Sequence, residues 1–268
     1  MVGPIGMFDS GFGGLTVARA VIDLLPSEDL VYLGDTARYP YGARSLTEVA
    51  GFSLEIARFL VEKFSAKCLI VACNTATAAA LEMLRDSIDV PVIGVIDPGV
   101  QSLLAATSSK RIGVIGTVAT IGSGAYERQL SAADPEAFLI GCACPGFVEF
   151  VERGVFQGAE ISLLAERLLT PVVAANIDAL LLGCTHYPYL ARVISDVVGP
   201  DVVLVSSADE CAFAAARVIG ELGLAHPDSG REGTHHFVSS GDVQSFAEIG
   251  GRLLGPELVD AELWTGSG

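Results

Sequence analysis

Short apolar runs recur along the chain and are separated by segments in which apolar residues follow a helical pattern. Such runs, about four to eight residues long, are typical of strands buried on both faces of a parallel sheet. Their alternation with helices is typical of α/β proteins, which bind ligands at the carboxyl ends of the strands. The runs that predict strands are IGMFD from position 5, LVYLGD from 30, CLIVAC from 68, VPVIGV from 90, RIGVIGT from 111, AFLIGC from 137, ALLLGC from 179 and VVLVSS from 202.

The residues that end these strands repeat at a similar interval in the two halves of the chain. Asp9 and Cys73 end predicted strands 64 positions apart, and Thr117 and Cys184 do so 67 positions apart. We therefore predict two pseudo-symmetric α/β domains with mainly parallel sheets flanked by helices. A ligand site is expected in the cleft between them.

The predicted domain boundaries require the chain to return to the first domain near its end. Residues 209–222 have a helical pattern, and THHFVSSG at 234–241 predicts a late strand or a loop. Either element could complete the first half. The predicted domains are residues 1–97 plus 209–268 for the first and residues 98–208 for the second.

The composition indicates a globular protein with an excess of acidic residues. Of 268 residues 51% are apolar and 18% are charged, which excludes disorder. Acidic residues outnumber basic ones by 32 to 16, and the net charge of −16 would repel nucleic acid and anionic membranes at long range. We expect neither partner. A small anionic ligand would have to be bound by local donors such as backbone N–H groups.

Two features of the sequence predict a cytoplasmic location. The start, MVGPIGMFD, lacks the basic and apolar stretches of a secretory signal, and no apolar run is long enough for a spanning helix. The six cysteines would then remain free thiols. No metal site is predicted, because the cysteines form no C-x-x-C pair and His235 and His236 are expected to be solvated.

Two of the six cysteines occupy positions that differ from the rest. Cys73 and Cys184 each follow a predicted strand where a helix is expected to begin, one in each half. The positive end of a helix favours a thiolate, so this matched pair predicts thiol chemistry. The remaining cysteines are predicted to be structural, as small buried hydrophobes: Cys68, Cys142, Cys144 and Cys211.

Hydrogen-bonding residues follow both of these cysteines. Asn74 and Thr75 follow the first, and Thr185 and His186 follow the second. They are interpreted either as helix caps or as the first turn of a helix that holds a carboxylate. His186 also places a group that titrates near neutrality beside the second thiol.

Two loops after early strands carry further candidates. DSGFGG at 9–14 is not a dinucleotide fingerprint, because Thr16 stands where the third glycine would be. Asp9 is expected either to cap the helix predicted from Leu15 to Leu25, or to polarise an acid–base group or hold an ammonium ion. YPYG at 39–42 predicts a turn whose backbone lines a pocket.

On these motifs, the chain resembles the cofactor-independent glutamate racemases of bacteria over nearly its whole length. The residues that carry the resemblance are FDSGFGGLT at 8–16, YPYG at 39–42, ACNTA at 72–76 and GCTHYP at 183–188. The resemblance implies interconversion of L- and D-glutamate in an interdomain active site with no cofactor and no metal. It also implies a homodimer and a role in supplying D-glutamate for peptidoglycan.

The resemblance assigns a role to each candidate residue. Cys73 would deprotonate D-glutamate with help from Asp9, and Cys184 would deprotonate L-glutamate. His186 and Glu152 would assist the second thiol. The substrate would be bound by Asp9, Ser10, Tyr41, Gly42, Asn74, Thr75, Thr117 and Thr185.

One segment departs from the family pattern, and two other functions stay open. In CPGFVEFVERG at 144–154, Gly146 and Glu149 stand where similar enzymes usually have leucine and proline. We expect this to affect turnover, plasticity or the response to effectors more than the reaction. The alternatives are a racemase of aspartate or another α-substituted acid on the same fold, and a non-catalytic amino-acid-binding protein whose thiols are structural.

Overall fold

The computed structural model describes residues 3–266, and their strands form two sheets in which every pairing is parallel. The strands of this part of the chain are β1 (Ile5–Asp9), β2 (Leu30–Gly34), β3 (Cys68–Val71), β4 (Val92–Gly94), β5 (Arg111–Gly116), β6 (Phe138–Ala143), β7 (Ala179–Gly183), β8 (Val203–Val205), β9 (His235–Ser239) and β10 (Glu262–Leu263). All eight strands predicted from the apolar runs are present, which confirms the predicted α/β fold.

Helices alternate with these strands. They are α1 (Leu15–Leu24), α2 (Leu46–Phe64), α3 (Asn74–Ser87), α4 (Ile96–Ala106), α5 (Val118–Gly122), α6 (Ala125–Ala133), α7 (Phe147–Glu152), α8 (Ala159–Ala174), α9 (Ala191–Val198), α10 (Ala208–Glu221) and α11 (Val243–Leu254), with short 3₁₀ helices at Tyr41–Ala43 and Tyr187–Leu190. No helix among residues 3–266 combines the length and the apolar character that crossing a membrane requires.

The two sheets divide the strands by their position in the chain. A six-stranded sheet has the order β10-β9-β2-β1-β3-β4, and a four-stranded sheet has the order β6-β5-β7-β8. The late segment predicted as a strand or a loop is strand β9, which pairs with β2 and so returns to the first sheet. Strand β10 was not predicted, because two residues carry no recognisable pattern. The domain boundaries themselves stay a prediction that this division supports.

Alternation of side chains along the buried strands produces a core on each face of the larger sheet. Met7 packs with α1, α10 and α11 on one face, whereas its neighbour Phe8 packs with α2 and α3 on the other. The smaller sheet repeats this arrangement, with Leu180 and Leu181 on opposite faces. Both sheets are therefore covered on both sides, which leaves the carboxyl ends of their strands as the places where a ligand can enter.

Candidate active site

The carboxyl ends of strands from both sheets border one cleft of about 630 Å³, open solvent at its mouth included. Ten of the twelve predicted site residues line it: Ser10, Tyr41, Gly42, Cys73, Asn74, Thr75, Thr117, Cys184, Thr185 and His186. The other two, Asp9 and Glu152, lie behind the lining and contact it. The tertiary structure thus brings residues from six separate segments of the sequence to one place.

Cys73 is the N-cap residue of α3. Its Sγ accepts from the backbone N–H of Ala76 at 3.4 Å and lies 3.9 Å from the hydroxyl of Ser10. The helix terminus lowers the pKa of Cys73, as predicted, because the Ala76 N–H favours the thiolate. Burial outweighs this hydrogen bond and, together with the charge of Asp9, raises the pKa of Cys73 well above the ordinary value. The free protein therefore holds Cys73 as a neutral thiol.

Cys184 does not stand at the start of a helix, and that prediction was wrong. A turn and the short 3₁₀ helix Tyr187–Leu190 follow it, and α9 begins only at Ala191. The segment Tyr187–Leu190 winds as a tighter 3₁₀ helix with Pro188 in its first turn, so α9 begins seven residues after Cys184. The helix terminus that faces Cys73 therefore has no counterpart at Cys184.

Cys184 has a cationic partner instead. His186 Nδ1 lies 3.8 Å from Cys184 Sγ, and His186 Nε2 lies 3.1 Å from Glu152 Oε1. Burial acts to lower the pKa of His186, but its hydrogen bonds to Cys184 and Glu152 prevail and raise it to about 10. His186 is therefore an imidazolium at neutral pH, and an adjacent imidazolium stabilises a thiolate.

Asp9 is fully buried and contacts residues of both halves. Its Oδ2 accepts from the N–H of Gly11 at 3.0 Å, and its Oδ1 lies 3.5 Å from the Thr185 hydroxyl of the other sheet. It does not cap α1, whose N-cap residue is Gly14 and receives no side-chain bond. The cap interpretation of Asp9 is therefore wrong, and its charge acts on both Cys73 and His186.

The glycines of the DSGFGG loop allow the two halves to approach closely. A Cβ at Gly13 would lie 2.5 Å from His186 Nδ1 and closer still to the hydroxyl of Thr185. A Cβ at Gly14 would lie 2.6 Å from the Cβ of Asp9. Because these distances are shorter than any real side chain tolerates, glycine is required here by tertiary contact and not by phosphate binding.

Neutral polar groups provide the donors and acceptors of the cleft. Thr75 and Thr117, from different halves, have hydroxyls 3.0 Å apart. The amide nitrogen of Asn74 donates to the hydroxyl of Tyr126 at 2.7 Å, and its Oδ1 is buried without a partner. Gly42 lies against Thr117, where a Cβ would be 2.7 Å from the threonine side chain.

The loop that carries Tyr41 is held by a buried carboxylate that sequence reasoning missed. Asp35, fully buried after β2, accepts from the Tyr41 hydroxyl, from Arg38 Nε at 2.7 Å and from the Ser240 hydroxyl at 2.6 Å. Ser240 follows β9, so the returning chain also fixes this loop. The sequence could have indicated Asp35, because it is an acidic residue at the end of a predicted strand, and Asp9 was selected on the same ground.

Among the described residues, His186 is the only cationic group that lines the cleft. No lysine or arginine of residues 3–266 lines it, whereas Glu149 does. Glu149 is exposed and makes no ion pair with the residues between 3 and 266. Gly146 lies beside it with a φ of 94°, which few residues other than glycine adopt readily. Both departures from the family pattern therefore lie at the edge of the cleft.

The four remaining cysteines and the histidine pair His235–His236 differ in their surroundings. Cys68 and Cys211 are fully buried in the core around the larger sheet, as predicted. Cys142 Sγ lies 3.0 Å from the carbonyl oxygen of Leu168, whereas Cys144 lines the cleft. His235 and His236 form part of β9, and no group of three or more potential metal ligands occurs among the described residues. Tyr39 of the predicted YPYG turn also lines the cleft, although it was not among the predicted site residues.

Known proteins resemble this chain in sequence and in structure. A curated glutamate racemase from Acidothermus cellulolyticus is 48% identical over 255 residues, which are 95% of this chain and 96% of that protein. A crystal structure of a glutamate racemase isoform from Bacillus anthracis is 40% identical, with a TM-score of 0.91 over 98% of this chain and 96% of that one. The glutamate racemase of Francisella tularensis in complex with D-glutamate is 34% identical, with a TM-score of 0.90 over 98% and 97%.

A family model gives the same result. The model described as Asp/Glu/Hydantoin racemase matches residues 15–215, which include Cys73, Cys184 and the polar residues that follow them. By this match, and by its identity to curated relatives over nearly its full length, the chain belongs to the Asp/Glu/Hydantoin racemase family.

Proposed function

We propose that this protein is a glutamate racemase that interconverts L- and D-glutamate by proton transfer between two thiols, without a cofactor. The observation that carries the proposal is the placement of Cys73 and Cys184 after strands of two different sheets, in one cleft. Inversion at a carbon that bears hydrogen needs a base on one face and an acid on the other. The relatives named above, one of them in complex with D-glutamate, support the choice of substrate.

The two thiols have different surroundings in the free protein. The His186 imidazolium faces Cys184, whereas burial and the charge of Asp9 keep Cys73 protonated. We propose that the reaction of L-glutamate begins with a thiolate at Cys184. In this state Cys184 removes the α-proton of L-glutamate while Cys73 delivers its own proton to the opposite face. The product is D-glutamate, with Cys73 now the thiolate and Cys184 the thiol. The reverse reaction begins from that second state, and no other proton acceptor is required.

Substrate binding must rely on neutral donors, because the net charge is −16 and no lysine or arginine lines the cleft. The hydroxyls of Ser10, Thr75 and Thr117 and the N–H groups near them are placed to bond to the two carboxylates. In a site that excludes water, fixed donors of this kind also stabilise the charge that develops during proton removal. Tyr41, Gly42, Asn74 and Thr185 complete the proposed binding set.

We predict that Cys184 reacts with iodoacetamide at pH 7 at least about tenfold faster than Cys73, because only the thiolate is the nucleophile. The two cysteines are equally accessible to the reagent, since each is 6% exposed. Peptide mapping by mass spectrometry gives both rates. In a His186→Gln variant the advantage of Cys184 should be lost. Equal rates in the unaltered protein would show that His186 does not activate Cys184.

We predict that Glu149→Gln lowers the KM for glutamate about threefold at low ionic strength, because a carboxylate at the edge of the cleft repels a substrate whose net charge is negative. The difference should disappear at high salt, which screens exposed charges. Glu166→Gln is the control, since Glu166 is exposed in α8 and does not line the cleft. A salt-independent change, or the same change in the control, would contradict this role of Glu149.

The test of the function is the circular-dichroism signal of pure D-glutamate over time, with protein freed of metal and pyridoxal under reducing conditions. Decay to zero supports a glutamate racemase. Decay with D-aspartate but not D-glutamate would favour the aspartate alternative. If neither signal decays but glutamate protects both thiols from alkylation, the protein is an amino-acid-binding protein.

In the cell, we propose that the protein acts in the cytoplasm as a homodimer and supplies D-glutamate for peptidoglycan. The free thiols of all six cysteines are compatible with a reducing compartment. Sedimentation analysis of the purified protein tests the dimer, and growth of a depleted strain on added D-glutamate tests the role in the cell wall.

A further inference from the structure

Tyr39 belongs to one half of the molecule and covers an acid–base pair of the other. It lies in the loop after β2 of the larger sheet, next to Pro40. Its ring centre lies 6.1 Å from that of His186, and the two planes are inclined by 37°. His186 follows β7 of the smaller sheet, so this contact crosses the cleft.

Gly11 leaves the space in which Tyr39 and Glu152 meet. A Cβ at Gly11 would lie 3.2 Å from Cδ2 of Tyr39 and 3.8 Å from Oε1 of Glu152. That oxygen is the one that bonds to His186 Nε2. The ring of Tyr39 therefore packs beside the carboxylate that holds the imidazolium.

The hydroxyl of Tyr39 lacks a hydrogen-bond partner. It is buried, and no group among residues 3–266 bonds to it with full hydrogen-bond geometry. Burial raises the pKa of Tyr39, and Glu152 raises it further through its charge and as a hydrogen-bond acceptor. The two groups are thus within each other's influence, and a small closing movement of the cleft would align them.

We propose that Tyr39 is a positioning residue, which donates to Glu152 across the cleft and keeps that carboxylate directed at His186. Glu152 needs such a restraint because its side chain is 21% exposed, at the end of a six-residue helix. Without the hydroxyl, the carboxylate can turn toward water. The bond also couples closure of the two halves to the state of the imidazolium that activates Cys184. This coupling to turnover rests on the proposed racemase function.

The expected direction of the change in the pKa of His186 follows from the groups that face this residue. These are Cys184 on its own segment, Glu152 of α7, Asp9 of β1 and Tyr39. Tyr39→Phe retains the ring but removes the donor, so the bond between Glu152 and His186 should weaken. The pKa of His186 should then fall from about 10 by about one unit, toward the ordinary value for histidine.

The experiment is an NMR titration of the full protein labelled with ¹⁵N in its four histidines. His186→Gln identifies the signal of His186, and the other three histidines are internal references. Tyr189→Phe is the matched control, because it removes another tyrosine hydroxyl close to His186 in the chain. The ring of Tyr189 packs against Phe156 instead, with ring centres 5.9 Å apart. A fall in the pKa of His186 in Tyr39→Phe alone supports the proposal. An unchanged or raised pKa, or an equal fall in the control, overturns it.

Kinetics supply the second readout. With L-glutamate, Tyr39→Phe should lower kcat about tenfold and leave KM within about twofold, because Tyr39 acts on the base and not on substrate affinity. A rise in KM at unchanged kcat would make Tyr39 a binding residue and overturn the positioning role. The titration does not depend on activity, so it decides the proposal even if the protein proves inactive toward glutamate.

Discussion

Replacing either Cys73 or Cys184 by alanine is expected to lower racemisation of glutamate at least about 10³-fold in both directions, because each turnover needs one thiol as base and the other as acid. The fold should survive, since the change removes a single sulfur atom. Cys211→Ala is the matched control, because Cys211 is fully buried in α10 and does not line the cleft. It makes the same chemical change without touching the proposed reaction.

The measurement combines polarimetry with exchange of the α-hydrogen in D₂O. Loss of racemisation in both cleft variants with normal turnover in Cys211→Ala would support the two-thiol scheme. Serine at either position should leave slow exchange with one enantiomer, and the enantiomer identifies the face that the intact cysteine serves. Wild-type turnover in Cys73→Ala or Cys184→Ala would sink the assignment.

The second large effect is expected at a position that carries no reactive group. Gly13→Ala should lower kcat about 10²-fold, because a methyl group there overlaps His186 Nδ1 and the Thr185 hydroxyl. The imidazolium must then move away from Cys184, and a displacement of about 1 Å in a catalytic constellation costs a factor of this size. Gly13 does not have a positive φ, so contact and not backbone strain causes the loss.

Gly51→Ala is the control for this second prediction. Gly51 lies inside α2 with no atom near the position of a Cβ, so alanine there should retain activity and stabilise the protein by about 0.5–1 kcal/mol. Steady-state kinetics and thermal melting distinguish the cases. Equal activity of the two variants would show that the two halves separate enough in solution to accommodate a side chain at position 13.

The two halves resemble each other in sequence spacing but differ in chemistry. Cys73 follows the expected scheme, with its sulfur at the start of α3. At Cys184 a turn and a 3₁₀ helix precede α9, and a histidine held by a carboxylate replaces the helix terminus. This difference gives the two thiols of the proposed enzyme unlike surroundings before substrate binds.

Several contacts in the site join segments that lie far apart in the chain. Asp35 fixes the loop of Tyr41 through a serine that lies 205 positions later in the chain. Tyr39 and Glu152 meet only because Gly11 leaves space for them. The residue types at positions 35, 39 and 11 show none of this, since each contact joins segments that only the tertiary structure brings together.

The sequence by itself determined the fold class, the eight strands read from its apolar runs, and the candidate residues that follow them. These are local properties, since a buried strand needs apolar residues along its own length and a cleft residue lies next to its own strand. The tertiary structure alone decided the environments of the thiols. Burial, the charge of Asp9 and the contact between His186 and Glu152 involve residues far apart in the chain, and their balance depends on distances that no sequence pattern encodes.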